Sequence, residues 1–340
     1  MFSIFLKKFG NGLLIIFGVV TVVFFLFNIL PGDPARMMLG QRADVASIDA
    51  INKELGRDLP MSTRYALYVN DLSPISVNNT VDSLSHAFVD AKKYGAMYPL
   101  IHFGKFALMF KVPYLSRSYQ SQDLVVGILV DALPGTALLS VVALAFAAFI
   151  GIGLGVLSAL KYQKWPDKLN MIISVLGMSV PSFFAGIVIA WLFGFVWSDV
   201  TGLNMTGSLY EVDPFNGEVL QWKNIILPAI TLGIRPLSVI VQLTRSSMLE
   251  VLSMDYVRTA RAKGLSMWSV IFKHALRNAL NPVITALSGW FGSLLAGAVF
   301  IEYIFGWKGV GKVTVDALEH YDFPRSDGFR FNGFGVFCAH

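Results

Sequence analysis

Long uncharged runs alternate with shorter polar segments along the chain, and the runs have membrane length. A bilayer core of about 30 Å is crossed by roughly 20 apolar residues in a helix. Five stretches qualify: Phe9 to Leu30, Ala132 to Leu160, Leu169 to Ser198, Asn224 to Thr244 and Asn278 to Ile301. Only the fourth contains a charge, Arg235. The first follows Lys7 and Lys8 and runs into Pro31-Gly32-Asp33-Pro34 instead of a small-residue cleavage site, so it predicts a retained anchor. The pattern predicts an all-α polytopic membrane protein.

Composition agrees. Of 340 residues, 55% are hydrophobic and 14% charged, against about a quarter charged in soluble domains. The lone cysteine, Cys338, excludes a disulfide framework and any Cys-based metal centre, and five scattered histidines leave little for a His cluster. The net charge of +5 is unevenly spread. Segments 1–8, 161–168 and 245–277 hold eleven Lys/Arg, whereas the short loop 199–223 holds only Lys223 against Asp199, Glu211, Asp213 and Glu218. Positive residues in short loops mark the cytoplasmic side, so the N-terminus is predicted inside. The basic charge then faces anionic headgroups and cytoplasmic partners, and no basic run with interleaved aromatics suits nucleic acid.

The segment 253–278 is too polar for insertion and too amphipathic for a slack linker. It reads as two short helices joined at Gly264, a residue suited to the left-handed position that ends a helix. Ser253 is expected to cap the first helix, with Asp255 in its first turn, and Ser266 to cap the second. Leu265 and Val270 are spaced as a hydrophobic staple, and Pro282 marks entry to the fifth span. Physics alone leaves two readings open, an interfacial loop on lipid phosphates or a docking site for a cytoplasmic partner.

The run Asp255-Tyr256-Val257-Arg258-Thr259-Ala260-Arg261-Ala262-Lys263-Gly264-Leu265, followed by His274-Ala275-Leu276-Arg277-Asn278, closely resembles the coupling loop of ATP-binding-cassette (ABC) importer permeases of the dipeptide/oligopeptide/nickel family. Further matching stretches are Pro31-Gly32-Asp33-Pro34, Leu55-Gly56-Arg57-Asp58-Leu59-Pro60, Arg117-Ser118-Tyr119, Leu133-Pro134 with Thr136, and Leu243 to Glu250. The resemblance covers roughly residues 1–324 and is weakest across 70–115.

The resemblance implies an ABC type-1 transmembrane fold, normally of six spans. It implies a permease that pairs with a second homologous permease subunit, two ABC ATPase subunits and an extracytoplasmic solute-binding protein in the bacterial inner membrane. ATP and Mg would be held by the ATPases, and this chain would bind no cofactor or metal. Short peptides lead as cargo, with nickel or another small solute behind. Asp255, Arg258, Thr259, Ala260, Arg261, Lys263, Gly264 and Leu276 would form the ATPase-coupling site. Ala260 would allow close approach, and Arg258 and Arg261 would pair with partner carboxylates. Arg245 and Glu250 would fix the base of the loop. In domain terms the expectation is an anchor at 1–30, a long outer loop at 31–123, and a transmembrane domain at 124–324 with its coupling loop at 245–277.

Arg235 has two readings. It faces the translocation path, or it is neutralised by backbone carbonyls freed beside Pro236. Gly306-Trp307-Lys308-Gly309-Val310-Gly311-Lys312-Val313 nearly spells a phosphate-binding loop, but Val313 stands where a metal-binding hydroxyl is required and a membrane helix precedes it. The tail, Arg325 to His340, is too polar and short to cross a bilayer where the family has its sixth span. A back-translation shifted by one base turns it into an apolar segment, so five spans plus a frameshifted tail are expected. Among rival classes, a secondary transporter or channel would favour internal repeats or ionisable relays, and a membrane enzyme would need a paired acid/base set; neither is found.

Overall fold

The computed structural model describes residues 2–29, 48–49, 52–53, 56–82, 85–121, 123–215, 217–320 and 322. The chain divides into two compact units, Met1–Asp131 with the segment from Val313, and Ala132–Lys312.

In the first unit, α1 (Phe2–Ile29) is apolar around most of its circumference. Its buried Phe24 meets Tyr65 and Tyr68 of α2 (Met61–Leu72) with ring centroids 5.2 and 5.4 Å apart. Thr21 Oγ1 lies 2.7 Å from the Tyr65 hydroxyl, and Arg64 donates to Asn28. The segment 75–111 then forms an antiparallel sheet of β1 (Ile75–Asn79), β2 (Met97–Phe103) and β3 (Phe106–Lys111), in the order β1-β3-β2. Sheet structure here was not legible from hydrophobic runs, because the strands are short and one face stays exposed. Ser76 and Asn78 on β1 and Ala107, Met109 and Lys111 on β3 are buried, while Ile75, Val77, Phe106 and Phe110 point outward, the period of two that a strand imposes. Pro99 is tolerated in β2 because that strand is an edge, and the register shifts between Pro99 and Ile101.

Lys111 is the unusual member of that buried face. Its Nζ lies 3.8 Å from the centre of the Tyr94 ring, 3.2 Å from the Asp71 carbonyl and 3.8 Å from Asp71 Oδ1. Asp71 also takes the Tyr94 hydroxyl at 2.6 Å and Lys93 Nζ at 3.0 Å. Burial, offset in part by Asp71, brings the Lys111 ammonium down to about 8. The unfolded chain then holds this proton to a higher pH than the folded one, so stability rises with pH above about 8. Tyr94 and Tyr114, both pushed up mainly by burial, reverse the trend above about 10. Between pH 8 and 10 the sheet should gain about 2 kcal/mol. Hydrogen-exchange protection over residues 75–111, corrected for intrinsic rates, should rise in that window, and Lys111→Met should abolish the rise.

The second unit is helical: α3 (Val125–Leu160, which begins in the first unit), α4 (Trp165–Ser179), α5 (Ser182–Trp191), a small hairpin of β4 (Tyr210–Asp213) and β5 (Gly217–Leu220), and the long α6 (Ile226–Leu252). There follow α7 (Asp255–Ala262), α8 (Met267–Ala279, with wider π spacing over Val270–Ala275), α9 (Asn281–Gly297), α10 (Val299–Phe305) and α11 (Val310–Glu319), the last ending in the first unit. Its core gathers Leu139 and Ala143 of α3, Ala190 of α5, Leu227 and Leu232 of α6, Leu294 of α9 and Ile301 and Phe305 of α10. Close helix contact depends on missing side chains. A Cβ at Gly151 would lie 2.9 Å from Ile240 Cγ2, and one at Gly155 would lie 2.5 Å from Thr244 Cβ. A pair of glycines four residues apart lets α3 lie against α6 where apolar driving force is absent.

Two expected spans are not straight rods. The stretch 169–198 breaks at Pro181, where α4 and α5 turn through 106°. Pro181 cannot donate to α4, and it holds Val180 in an extended conformation, ψ 128°. The stretch 278–301 is bent by 50° at Leu280 and interrupted again at Ala298. Among the described residues, three helices are long and apolar enough to cross a membrane, or up to five if each bent pair is one span. Residues 31–47 and the tail from 323 lie outside the described residues, and with them Pro31 to Pro34 and the frameshift reading.

Candidate coupling module

The helix–Gly–helix segment forms as expected in outline. α7 carries Asp255 in its first turn, and Gly264 follows it with φ +76°. Leu265 N–H bonds back to the Ala260 carbonyl, and Gly264 N–H to that of Arg261, as a left-handed cap requires. Ser266 caps α8, accepting from Ser269 N–H at 3.4 Å. Asn278 Nδ2 donates to the Tyr256 hydroxyl at 2.8 Å, tying the two helices together.

Three details differ from expectation. Ser253 does not cap α7; Met254 holds that position without a side-chain bond. The Ser253 hydroxyl donates instead to the Glu250 carbonyl at 2.7 Å, so it closes α6. Ala260 does not lie on an outward face. It is buried with Val257 among Val270, Ile271 and Ala275, over Met248 and Val251 of α6 and Val156 and Ala159 of α3. Its small size therefore serves packing within this chain. Arg258 already has a partner, Asp255 Oδ1 at 3.4 Å, although both are so exposed that solvent screens the pair. Leu276 is half-buried against the same core.

What the module presents outward is a continuous exposed strip from Arg261 to Trp268, together with Asp255, Arg258 and Thr259. Trp268 and Phe272 stack beside it, with ring centroids 5.3 Å apart and planes 7° apart. The strip is basic and aromatic, and it stands on a rigid apolar base.

The base is held by a contact that sequence reading missed. Arg245 grips Asp167 at the start of α4 with two bonds, Nε to Oδ1 at 2.6 Å and Nη2 to Oδ2 at 2.8 Å, and lies 5.1 Å from the centre of the Tyr162 ring. Asp167 is buried and also accepts from Gln163 N–H. The available signal was its charge, the only acid within a loop of three lysines. Glu250 contributes through its backbone carbonyl, and its side chain is exposed. Arg235 is exposed on α6 beside the buried Pro236, and no carbonyl bond of its guanidinium occurs among the described residues.

The near-phosphate-loop is also explained. Its amides are occupied from within: Gly311 and Lys312 N–H donate to Glu302 Oε2 at 2.7 and 3.2 Å, and Val310 N–H donates to Thr136 Oγ1 at 2.9 Å. The chain's own carboxylate stands where a phosphate would. Among the described residues no group of three His, Cys, Asp or Glu is placed to hold a metal ion. The Arg117-Ser118-Tyr119 element meets Asp322 in the first unit, through the Ser118 hydroxyl and the Tyr119 N–H, 2.8 Å from Asp322 Oδ1.

Comparison with known proteins bears on the same segments. The family described as binding-protein-dependent transport system inner membrane component matches residues 151–339, and its N-terminal companion matches 1–98. The chain belongs to this family. It is a permease subunit of an ABC importer of the dipeptide/oligopeptide group, an inner-membrane transport component and not itself an enzyme. The di/tripeptide transport system permease DppB of Pseudomonas aeruginosa is 36% identical, over 95% of this chain and 90% of that protein. The glutathione transport system permease GsiC of Escherichia coli K12 is 32% identical, over 90% and 83%. An inward-facing structure of the MetNI methionine ABC transporter aligns with a TM-score of 0.48 at 16% identity, over 62% of this chain and 90% of that one.

Proposed function

We propose that this permease, with its N-terminus cytoplasmic, moves di- and oligopeptides handed over by an external binding protein. It does so beside a second homologous permease and under the drive of two separate ATPase subunits that hold ATP and Mg. The observation that carries the reading is the module at 255–264: a short helix with an exposed basic strip, packed without slack on the ends of α3 and α6. A rigid lever of this kind passes rigid-body motion into the spans to which it is fixed. Within it, Asp255, Arg258, Thr259, Arg261 and Lys263 meet the ATPase, Gly264 sets the bend, and Ala260 and Leu276 hold the lever to its base. Arg245 and Glu250 fix the base of the loop beneath it.

The peptide assignment draws on the relatives, which are named for di/tripeptide, dipeptide and glutathione transport. Arg235, exposed and without a carbonyl partner among the described residues, fits a place on the translocation path facing a peptide carboxylate. The domain reading is an anchor at 1–30, an outer region at 31–123 and a transmembrane domain from 124, with the coupling loop at 245–277.

Purifying the complex from its native membrane tests this reading. With a cysteine placed at Arg261, a short bifunctional maleimide should link the chain to an ATPase subunit, and labelled dipeptide uptake should exceed Ni²⁺ uptake. A crosslink formed only to lipid, or no co-purifying ATPase, would overturn it.

A further inference from the structure

Glu302 is fully buried, and it is held by three donors from two distant parts of the chain. Thr136 Oγ1 donates to Oε1 at 2.7 Å from the turn of α3 that follows Pro134. Gly311 and Lys312 N–H donate to Oε2 from the first turn of α11. Around this centre, Trp307 Nε1 donates to the Gly135 carbonyl at 2.9 Å, and Lys308 N–H donates to Ser208 Oγ at 3.2 Å. Gly309 admits the carboxylate because any side chain there would overlap it, and a Cβ at Gly311 would lie 2.9 Å from Oε2. The turn is shaped around one anion, and that anion belongs to the chain.

The charged groups on the neighbouring elements include Asp131 on α3, Lys308 and Lys312 on the turn, Asp316 on α11, Arg235 on α6 and Glu211 in the segment after α5; α5 and α9 carry none. Lys308 and Arg235 are exposed, Glu211 accepts from Asn224 at 2.8 Å, and Lys312 reaches the carboxylate through its N–H. The carboxylate therefore rests on hydrogen bonds, not on an ion pair. Burial opposes its charge, the three donors support it, and the balance leaves it pushed up to about 6. Protonation replaces charge-assisted bonds with neutral ones of about half the strength.

We propose that Glu302 is a positioning residue for transport: ionised, it locks the glycine-rich turn onto α3, and protonated, it releases the turn, so that peptide uptake falls as the outer compartment acidifies. The proposal rests on the functional reading above: with the coupling loop 245–277 cytoplasmic, the fifth span carries the chain to this turn on the external side. A helix-to-turn lock of two alternative strengths is the kind of bistable contact that alternating access needs.

The test uses the whole complex in proteoliposomes, with two readouts. Hydrogen exchange over residues 306–313, corrected for intrinsic rates, should quicken at least ten-fold between pH 7.5 and 5.5 in the wild type. In Glu302→Gln it should be fast at both pH values. Dipeptide uptake should fall at least three-fold over the same external range, with a midpoint near the carboxyl's own, and should be low and flat in Glu302→Gln. Thr136→Val, which removes one donor to the ionised form, should move the midpoint upward. Exchange that is independent of pH, or a Glu302→Gln profile matching the wild type, would overturn the lock. If Glu302→Gln fails to assemble, the wild-type exchange profile and the Thr136→Val midpoint decide the matter. A correct exchange profile without peptide uptake would instead count against the importer reading and leave the lock standing.

Discussion

Gly264→Val is expected to cut peptide uptake by ten-fold or more while leaving membrane insertion and complex assembly intact. Gly264 has φ +76°, a conformation in which a β-branched residue costs about 1–3 kcal/mol. The space around it is open: no heavy atom lies within 4 Å of a Cβ built there. The penalty is therefore purely backbone strain, and the chain relieves it by changing the angle between α7 and α8. That angle aims the exposed strip at the ATPase, and each 1.4 kcal/mol is worth a factor of ten in a docking equilibrium. ATP hydrolysis should continue, uncoupled. Gly264→Asn is the control, since asparagine tolerates the left-handed region, and it should keep most of the uptake. Measuring uptake and hydrolysis together checks this: wild-type uptake in the valine variant would remove Gly264 from the coupling mechanism.

The second large effect is expected at Asp167. Removing one partner of a buried ion pair costs about 3–5 kcal/mol, because the other charge is left without compensation. Asp167→Ala leaves the largely buried Arg245 guanidinium beside the Tyr162 ring without its carboxylate partner. It also frees the Gln163 N–H at a residue held at φ +59°. The loop joining α3 to α4 should loosen and the thermal midpoint in detergent should drop sharply. The double replacement Asp167→Leu with Arg245→Met should recover most of the loss, since it buries no lone charge. If the single and double variants melt alike, the pair is not what holds α4 to α6.

Much of the candidate site could be read from residues alone. Gly264 at the bend, Asp255 in the first turn and Ser266 as a cap follow from local rules, because capping and left-handed turns depend on a few neighbouring residues. The outward direction of Arg261 and Lys263 follows from their charge. The burial of Ala260 was not legible because a small residue on a short helix suits either face, and only the packing of Val270 and Ile271 against it decides. Ser253 went to the wrong helix for a related reason: two helices meet there, and its hydroxyl could serve either.

Length and apolarity by themselves determined that this is a helical membrane protein, where its apolar stretches lie and that its module at 253–278 is too polar for insertion. Those properties are sums over adjacent residues, so they are complete before the chain folds. Tertiary structure alone decided that α4 and α5 diverge at Pro181, that Arg245 reaches Asp167 and that Glu302 fills its own glycine-rich turn. Each of these depends on groups tens to hundreds of residues apart meeting at hydrogen-bond distance. No local pattern encodes such a meeting, because its energy exists only once the helices are packed.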